Sequence, residues 1–265
     1  MLLSREATFE GDADGRGAAA PDLLRRLRRD ILHGVLPPAE RLSIEGLQRR
    51  YGGSANTLRH ALGELLAENL VTTWGRRSFQ VAPISLTDLA DVMRMRQLIE
   101  TEALKGSIAN GDEAWEGRLV SAFHTLSKLD WADEDGRYAE EWESRHRHFH
   151  RTLNGACGSF WLLRQSELFY DLNARYRHLS LTRLDLSPRD HLREHADIMQ
   201  AALDRDVAAA TTLISTHMSK TAILMLERGI ASLPVETGES GDEAAARRFL
   251  NGELARAGLA AVDGL

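Results

Sequence analysis

The sequence predicts a mainly α-helical protein in two parts: a small head of three short helices closed by a β-hairpin, and a larger all-helical bundle. Three observations predict it. Apolar residues recur at helical spacing through most of the chain from Leu23 onward. A single β-rich stretch, Leu70-Val71-Thr72-Thr73-Trp74, is followed by the turn Gly75-Arg76-Arg77-Ser78 and a second short run, Phe79-Gln80-Val81. The charge divides near the same place. Residues 21–83 hold ten arginines and six acids, a balance of +4 in a chain of net charge −6, which leaves −10 for the rest. A compact basic segment joined to an acidic body points to a polyanion-binding head on a separate domain, against the alternative of chance asymmetry.

Residues 1–20 are rich in Gly, Ala and acids without periodicity and read as a disordered leader. Pro21-Asp22 opens a helix at about 22–33, with Leu23, Leu24, Leu27 and Ile31 as its apolar stripe; Gly34 and Pro37-Pro38 end it. Ser43 caps a second helix, about 44–51, with Ile44, Leu47 and Tyr51 on one side. Gly52-Gly53 breaks that helix and Ser54 caps a third, about 55–68, in which Leu58, Leu62, Leu65 and Leu66 face inward. Three short helices followed by a hairpin form a winged helix-turn-helix over residues 21–83. Its third helix suits the major groove, and its wing tip presents Arg76 and Arg77.

From Ser85 onward no strand is evident. Helices are expected at about 86–109, 112–129, 134–154, 158–183, 188–204 and 206–231, joined at Asn110-Gly111, Gly155, Gly158 and Ser187-Pro188. This bundle over 84–232 is large enough to bury its own core. Residues 233–265 form a polar tail with room for a last helix at about 242–258. An apolar content of 43% and a charged content of 27% are ordinary for a soluble globular chain. No apolar run approaches the roughly 20 residues of a membrane helix, and the N-terminus lacks a signal pattern, so a cytoplasmic protein is expected. Cys157 is the one cysteine, which rules out an intrachain disulfide and a cysteine-rich zinc site.

The run His146-Arg147-His148-Phe149-His150 raises a chemical question. Positions i and i+4 share a helical face, so His146 and His150 point the same way and His148 points roughly opposite. Two such imidazoles can clasp one metal ion if one or two more ligands arrive from elsewhere; otherwise they are solvated surface residues. His33, His60, His124, His178 and His191 read as surface or polar-contact residues, Cys157 as a small packed residue, and the five tryptophans as core or rim.

The head carries a family likeness in Gly34-Val-Leu36-Pro-Pro38, Arg41-Leu42, Leu47, Ser54-Ala-Asn-Thr-Leu58-Arg59-His-Ala61-Leu62, Leu70-Val71 and Gly75. These residues resemble the DNA-binding domain of GntR-family transcriptional regulators, and the helical remainder resembles the FCD effector domain of the FadR-like branch. The likeness covers about 21–232. It departs at Ala55-Asn56, where the family usually has Arg-Thr, at His60 in place of Glu, and at Ala39 in place of Gly, which bears on the operator sequence and not on the docking mode. Arg50-Tyr51 with Trp142, His146, Phe149-His150 and Cys157-Gly158-Ser159 resembles a CsiR-type subgroup, implying a repressor of a carbon-catabolic operon released by a short dicarboxylate such as glutarate.

The resemblance also implies site residues. FCD domains often hold a metal with an Asp/Asn-x-x-x-His pair and single histidines on two later helices. His150, His195 and His217 match that pattern, and His146 stands where the family usually has Asp. Imidazole suits zinc, nickel, cobalt or copper, with zinc or nickel the leading pair. Arg96 matches a basic position that commonly faces the effector pocket, and Tyr176 with Arg175 or Arg177 can add donors for a small carboxylate. On the head, Ser54, Asn56, Thr57 and Arg59, with Arg76 or Arg77, are the expected DNA contacts. The regulator is expected to act as a dimer, whose two-fold symmetry would match a palindromic operator. Two rivals stay open. One is a regulator in which the ion itself is the signal. The other is a metallohydrolase, which would need a positioned general base and a motif such as HExxH that the sequence lacks.

Overall fold

The computed structural model describes residues 20–75, 78–130, 140–181, 191–227 and 243–256. The leader before residue 20 and most of the tail lie outside them. The order is α1 (Ala20–Leu32), β1 (Arg41–Leu42), α2 (Ile44–Tyr51), α3 (Ala55–Ala67), β2 (Val71–Trp74), β3 (Ser78–Val81), α4 (Leu86–Asn110), α5 (Glu113–Leu126), α6 (Glu140–Asn154), α7 (Phe160–Leu181), α8 (His191–Leu203), α9 (Val207–Glu227) and α10 (Glu243–Arg256).

In the head, the turn between α2 and α3 needs two successive left-handed residues, and Gly52 (φ 74°) and Gly53 (φ 83°) supply them without a Cβ penalty. Ser43 accepts from the Gly46 amide at 3.0 Å and Ser54 from the Thr57 amide at 3.1 Å, which starts both helices. Leu23, Leu27, Leu36, Leu47, Leu58, Leu62, Leu65, Leu70 and Val81 form one buried core. The sheet has three strands in the order β1-β3-β2, all antiparallel. The sequence pattern predicts only the two-stranded hairpin β2–β3. β1 is two residues long, too short to leave a period-2 signal, and becomes a strand only because β3 offers Gln80 and Phe79 as partners. Leu66 also differs from expectation. It is exposed, because eight residues past Leu58 it has rotated some 80° off the stripe.

In the bundle, Leu104, Ile108, Trp115, Leu119, Trp142, Phe149, Leu153, Ile198 and Ile214 close the core between α4, α5, α6, α8 and α9. Gly158 sits at φ 74°, so α7 begins at Phe160 and not at 158. The last helix, α10, packs on α4 and α9. Ala246 and Leu250 join Leu86, Leu89, Ala90, Met93 and Tyr176, and Glu253 accepts from Gln97 at 2.8 Å. The head rests on α7 and α4: Val92, Leu172 and Ala174 belong to the head's own core cluster. Among the described residues no helix is long and apolar enough to cross a membrane.

Candidate metal centre and nucleic-acid interface

The face of α3 turned away from the core carries Asn56, Arg59 and His60, all exposed, with Thr57 half-buried. Ser54 is exposed too, but its hydroxyl is engaged as the helix cap and lies 2.8 Å from the Thr57 hydroxyl. Arg59 donates to Asn56 at 3.4 Å, which holds the guanidinium along the helix face. Arg76 and Arg77 lie outside the described residues. Elsewhere on the head, Trp74 at the end of β2 is 48% exposed, with the Arg41 guanidinium 4.7 Å over its ring. Trp161 is exposed as well, whereas Trp115 and Trp142 are core.

The bundle brings four histidines to one point. His146 and His150 come from successive turns of α6, His195 from α8 and His217 from α9. All four are buried, and one ring nitrogen or the other from each lies within 4.8 Å of the rest. His148 is exposed on the opposite side of α6, as its position on the helix requires. His60 and His124 are exposed and His33 and His191 half-buried, while the side chain of His178 lies outside the described residues. Trp142, one turn before His146, stacks on its ring at 4.6 Å and 17°.

Partners at Nδ1 decide what each ring offers. The His195 Nδ1 is 2.6 Å from the His191 carbonyl, which can only accept, so the proton sits on Nδ1. The His217 Nδ1 is 2.8 Å from the Glu194 carboxylate, which fixes the same tautomer. The His146 Nδ1 is 2.7 Å from the Tyr170 hydroxyl, and that hydroxyl donates onward to Glu143 at 2.8 Å, so it accepts from His146. The His150 Nδ1 faces Glu100 at 3.6 Å. Each imidazole therefore turns Nε2 toward the others; those of His146 and His150 are 3.2 Å apart. This is the arrangement in which outer partners orient metal-ligating histidines. Burial, followed by the charges of neighbouring histidines, holds His146 well below the ordinary imidazole value. Burial also lowers His150, with Glu100 pulling the other way. Neutral imidazoles are the ligand form, so the donor set fits a divalent ion of the zinc and nickel kind.

The expected effector residues divide. Arg96 reaches the site's edge, but its guanidinium is bound to Glu100, with Nε 2.8 Å and Nη2 2.6 Å from Oε1, and both side chains are buried. Arg175 and Tyr176 do not join the histidines, and that expectation is corrected. Arg175 donates to the carbonyls of Ala82 and Pro83 at the head–bundle junction, and the Tyr176 hydroxyl donates to Asp88. The cause is angular. Seven residues return a helix to within about 20° of its starting face, so Arg177 lies with Tyr170, whereas 175 and 176 fall more than 100° away. Arg177 is the member of the pair that meets the site: it is bound to Glu143 and lies 4.8 Å over the Tyr170 ring. Tyr170, Glu143 and Glu194 were not foreseen. Tyr170 is 24 residues from His146 and Glu194 is 23 from His217, so no local spacing announces them.

A winged helix-turn-helix with an exposed third helix, mounted on a helical domain with a buried donor cluster, is the architecture of a DNA-binding transcriptional regulator. Residues 21–81 match the bacterial regulatory proteins of the gntR family and residues 91–220 match the FCD domain. The chain belongs to the GntR family, in the branch whose helical part is an FCD domain. It is 38% identical to the uncharacterized HTH-type transcriptional regulator BphR of Paraburkholderia xenovorans, over 78% of this chain and 84% of that one. It is 35% identical to the HTH-type transcriptional repressor GlaR of Escherichia coli, over 79% of this chain and 96% of that one. The fold is shared with E. coli McbR/YncC at a TM-score of 0.63 and 18% identity, over 78% of this chain and 96% of that chain.

Proposed function

We propose that this regulator is a cytoplasmic repressor of a catabolic operon, acting as a homodimer on a two-fold DNA operator and released by a small carboxylate. The carboxylate, a dicarboxylate such as glutarate being the leading choice, binds beside a divalent ion, zinc or nickel, held by His146, His150, His195 and His217. The observation that carries the reading is the convergence of four buried imidazoles, three with Nδ1 held by a hydrogen-bond partner and the fourth, His150, with Nδ1 facing Glu100. The similarity to a protein named as a repressor supports the direction of control. On the head, Asn56, Thr57 and Arg59 contact bases or phosphates, Ser54 sets the helix start, and Arg76 and Arg77 reach the backbone from the wing. Within the bundle the ion supplies a positive centre for an anionic effector. Arg96 works through its pair with Glu100, which faces His150, and Arg177 and Tyr170 stand beside His146.

A second reading has its own support. Four imidazoles already satisfy the ligand number of a closed zinc site, so the ion itself can be the signal. Fluorescence anisotropy on a duplex selected from a random library, at fixed salt, separates the two. Release of the zinc-loaded protein by glutarate supports the first reading. Loss or gain of DNA binding on adding zinc or EDTA alone, with no response to dicarboxylates, supports the second. No preference over scrambled DNA would sink both.

A further inference from the structure

The histidine cluster is tied by charged contacts to α7, the bundle helix whose Leu172 packs in the core of the DNA-binding head. The line starts at the ligands. On α6, His146 touches the Tyr170 hydroxyl and the next residue, Arg147, lies 4.5 Å over the Tyr170 ring. On α7, Tyr170 is followed by Asp171, and Arg147 is bound to Asp171 and donates to Glu167 at 3.1 Å. Two consecutive residues of one helix are thus tied to two consecutive residues of the other. The α6–α7 pair is fixed at the point where His146 enters the site.

The line then leaves the bundle. Asp171 and Arg28, on α1 of the head, line the same cleft, and across it each charge favours the ionised form of the other. Arg28 in turn holds Glu68, the residue that ends α3, through Nε at 2.9 Å and through Nη2. Arg28, Glu68, Arg147, Glu167 and Asp171 together line a cleft of about 400 Å³ between head and bundle. Arg147 is half-buried, and its charge is matched by Glu167 and by Asp171, the residue that faces the head.

We propose that Arg147, Asp171, Arg28 and Glu68 are positioning residues that carry the state of the histidine site to the recognition helix α3. Any change in the angle of His146 moves Tyr170 and Arg147 together, shifts Asp171 against Arg28, and so shifts the end of α3. The proposal rests on the reading above that the histidines hold a metal ion that matters for DNA binding. It adds the route, which runs through a direct ion pair on each side, Arg147–Asp171 and Arg28–Glu68, and through the charges of Asp171 and Arg28 facing each other across the cleft.

The test uses the full chain, with zinc alone as the probe. Three quantities are measured for wild type, Asp171→Asn, Arg28→Gln, the double variant, Asp171→Glu and Glu167→Gln. They are the zinc affinity by chelator competition, the DNA affinity in EDTA, and the DNA affinity with zinc. For wild type the two DNA affinities should differ by about tenfold, within the usual range of coupling between sites. Asp171→Asn and Arg28→Gln should each bring the ratio below twofold while zinc affinity stays within threefold. The double variant should lose no more than either single one. Asp171→Glu should restore most of the ratio, and Glu167→Gln, which removes the other acid paired with Arg147, should keep it. A wild-type ratio near one overturns the metal reading itself. A wild-type ratio that survives in Asp171→Asn and Arg28→Gln overturns the route and leaves the metal reading standing.

Discussion

Glu100→Gln is the perturbation whose size follows most directly from the geometry. Glu100 is 1% exposed and Arg96 4%, and Oε1 lies 2.6 and 2.8 Å from two guanidinium nitrogens. Burial alone would raise the Glu100 carboxyl. The Arg96 charge, together with His150, more than reverses that and brings it down to about 2 from an ordinary 4.5. At 1.36 kcal/mol per unit the difference is about 3 kcal/mol of folding stability. Breaking a buried pair by removing one charge costs about 3–5 kcal/mol by an independent route, because the other charge stays buried. Both routes put the loss at about 3 kcal/mol or somewhat more. The sign with pH follows from the lowered value: the contribution is complete above 4.5 and fades as pH falls from 4.5 toward 2. Urea unfolding followed by circular dichroism, with EDTA present so that metal plays no part, should show Glu100→Gln about 3 kcal/mol less stable at pH 7. The gap should narrow as pH drops below 4.5. A loss below about 1 kcal/mol at pH 7 would mean that Arg96 is not spent on Glu100, and would return Arg96 to direct effector binding. A gap that does not change with pH would refute the linkage argument.

Other expectations concern the two ends of the molecule. Glu194→Ala removes the acceptor that fixes the His217 tautomer and should weaken zinc binding by about 10–100-fold in a chelator competition, with the helical content unchanged. Arg59→Ala should cost about 1–3 kcal/mol of specific DNA binding if the guanidinium reads a base, and should lower affinity evenly across sequences if it contacts phosphate. Tyr51→Phe leaves Asp30 Oδ2 buried without the 2.6 Å hydroxyl donor and should destabilise the head by about 1–3 kcal/mol, read in a urea titration at pH 7.

What the sequence alone determined is what depends on residues a few places apart. Ser43, Ser54, Gly52 and Gly53 are local signals for where helices start and stop, and α2 and α3 lie where those residues predict. His146, His148 and His150 could be assigned to faces because a helix repeats every 3.6 residues, whatever it packs against. The family likeness added His195 and His217, which no local rule links to α6. Tertiary structure decided the rest. It made a strand of Arg41–Leu42, chose Arg177 over Arg175, and set Tyr170 and Glu194 behind the imidazoles. It also spent Arg96 on Glu100 and placed Asp171 between Arg147 and the head. The physical reason is the same in each case. Period and capping fix where a side chain lies on its own helix, but which groups it meets depends on how separate helices pack, and that is set by the core as a whole.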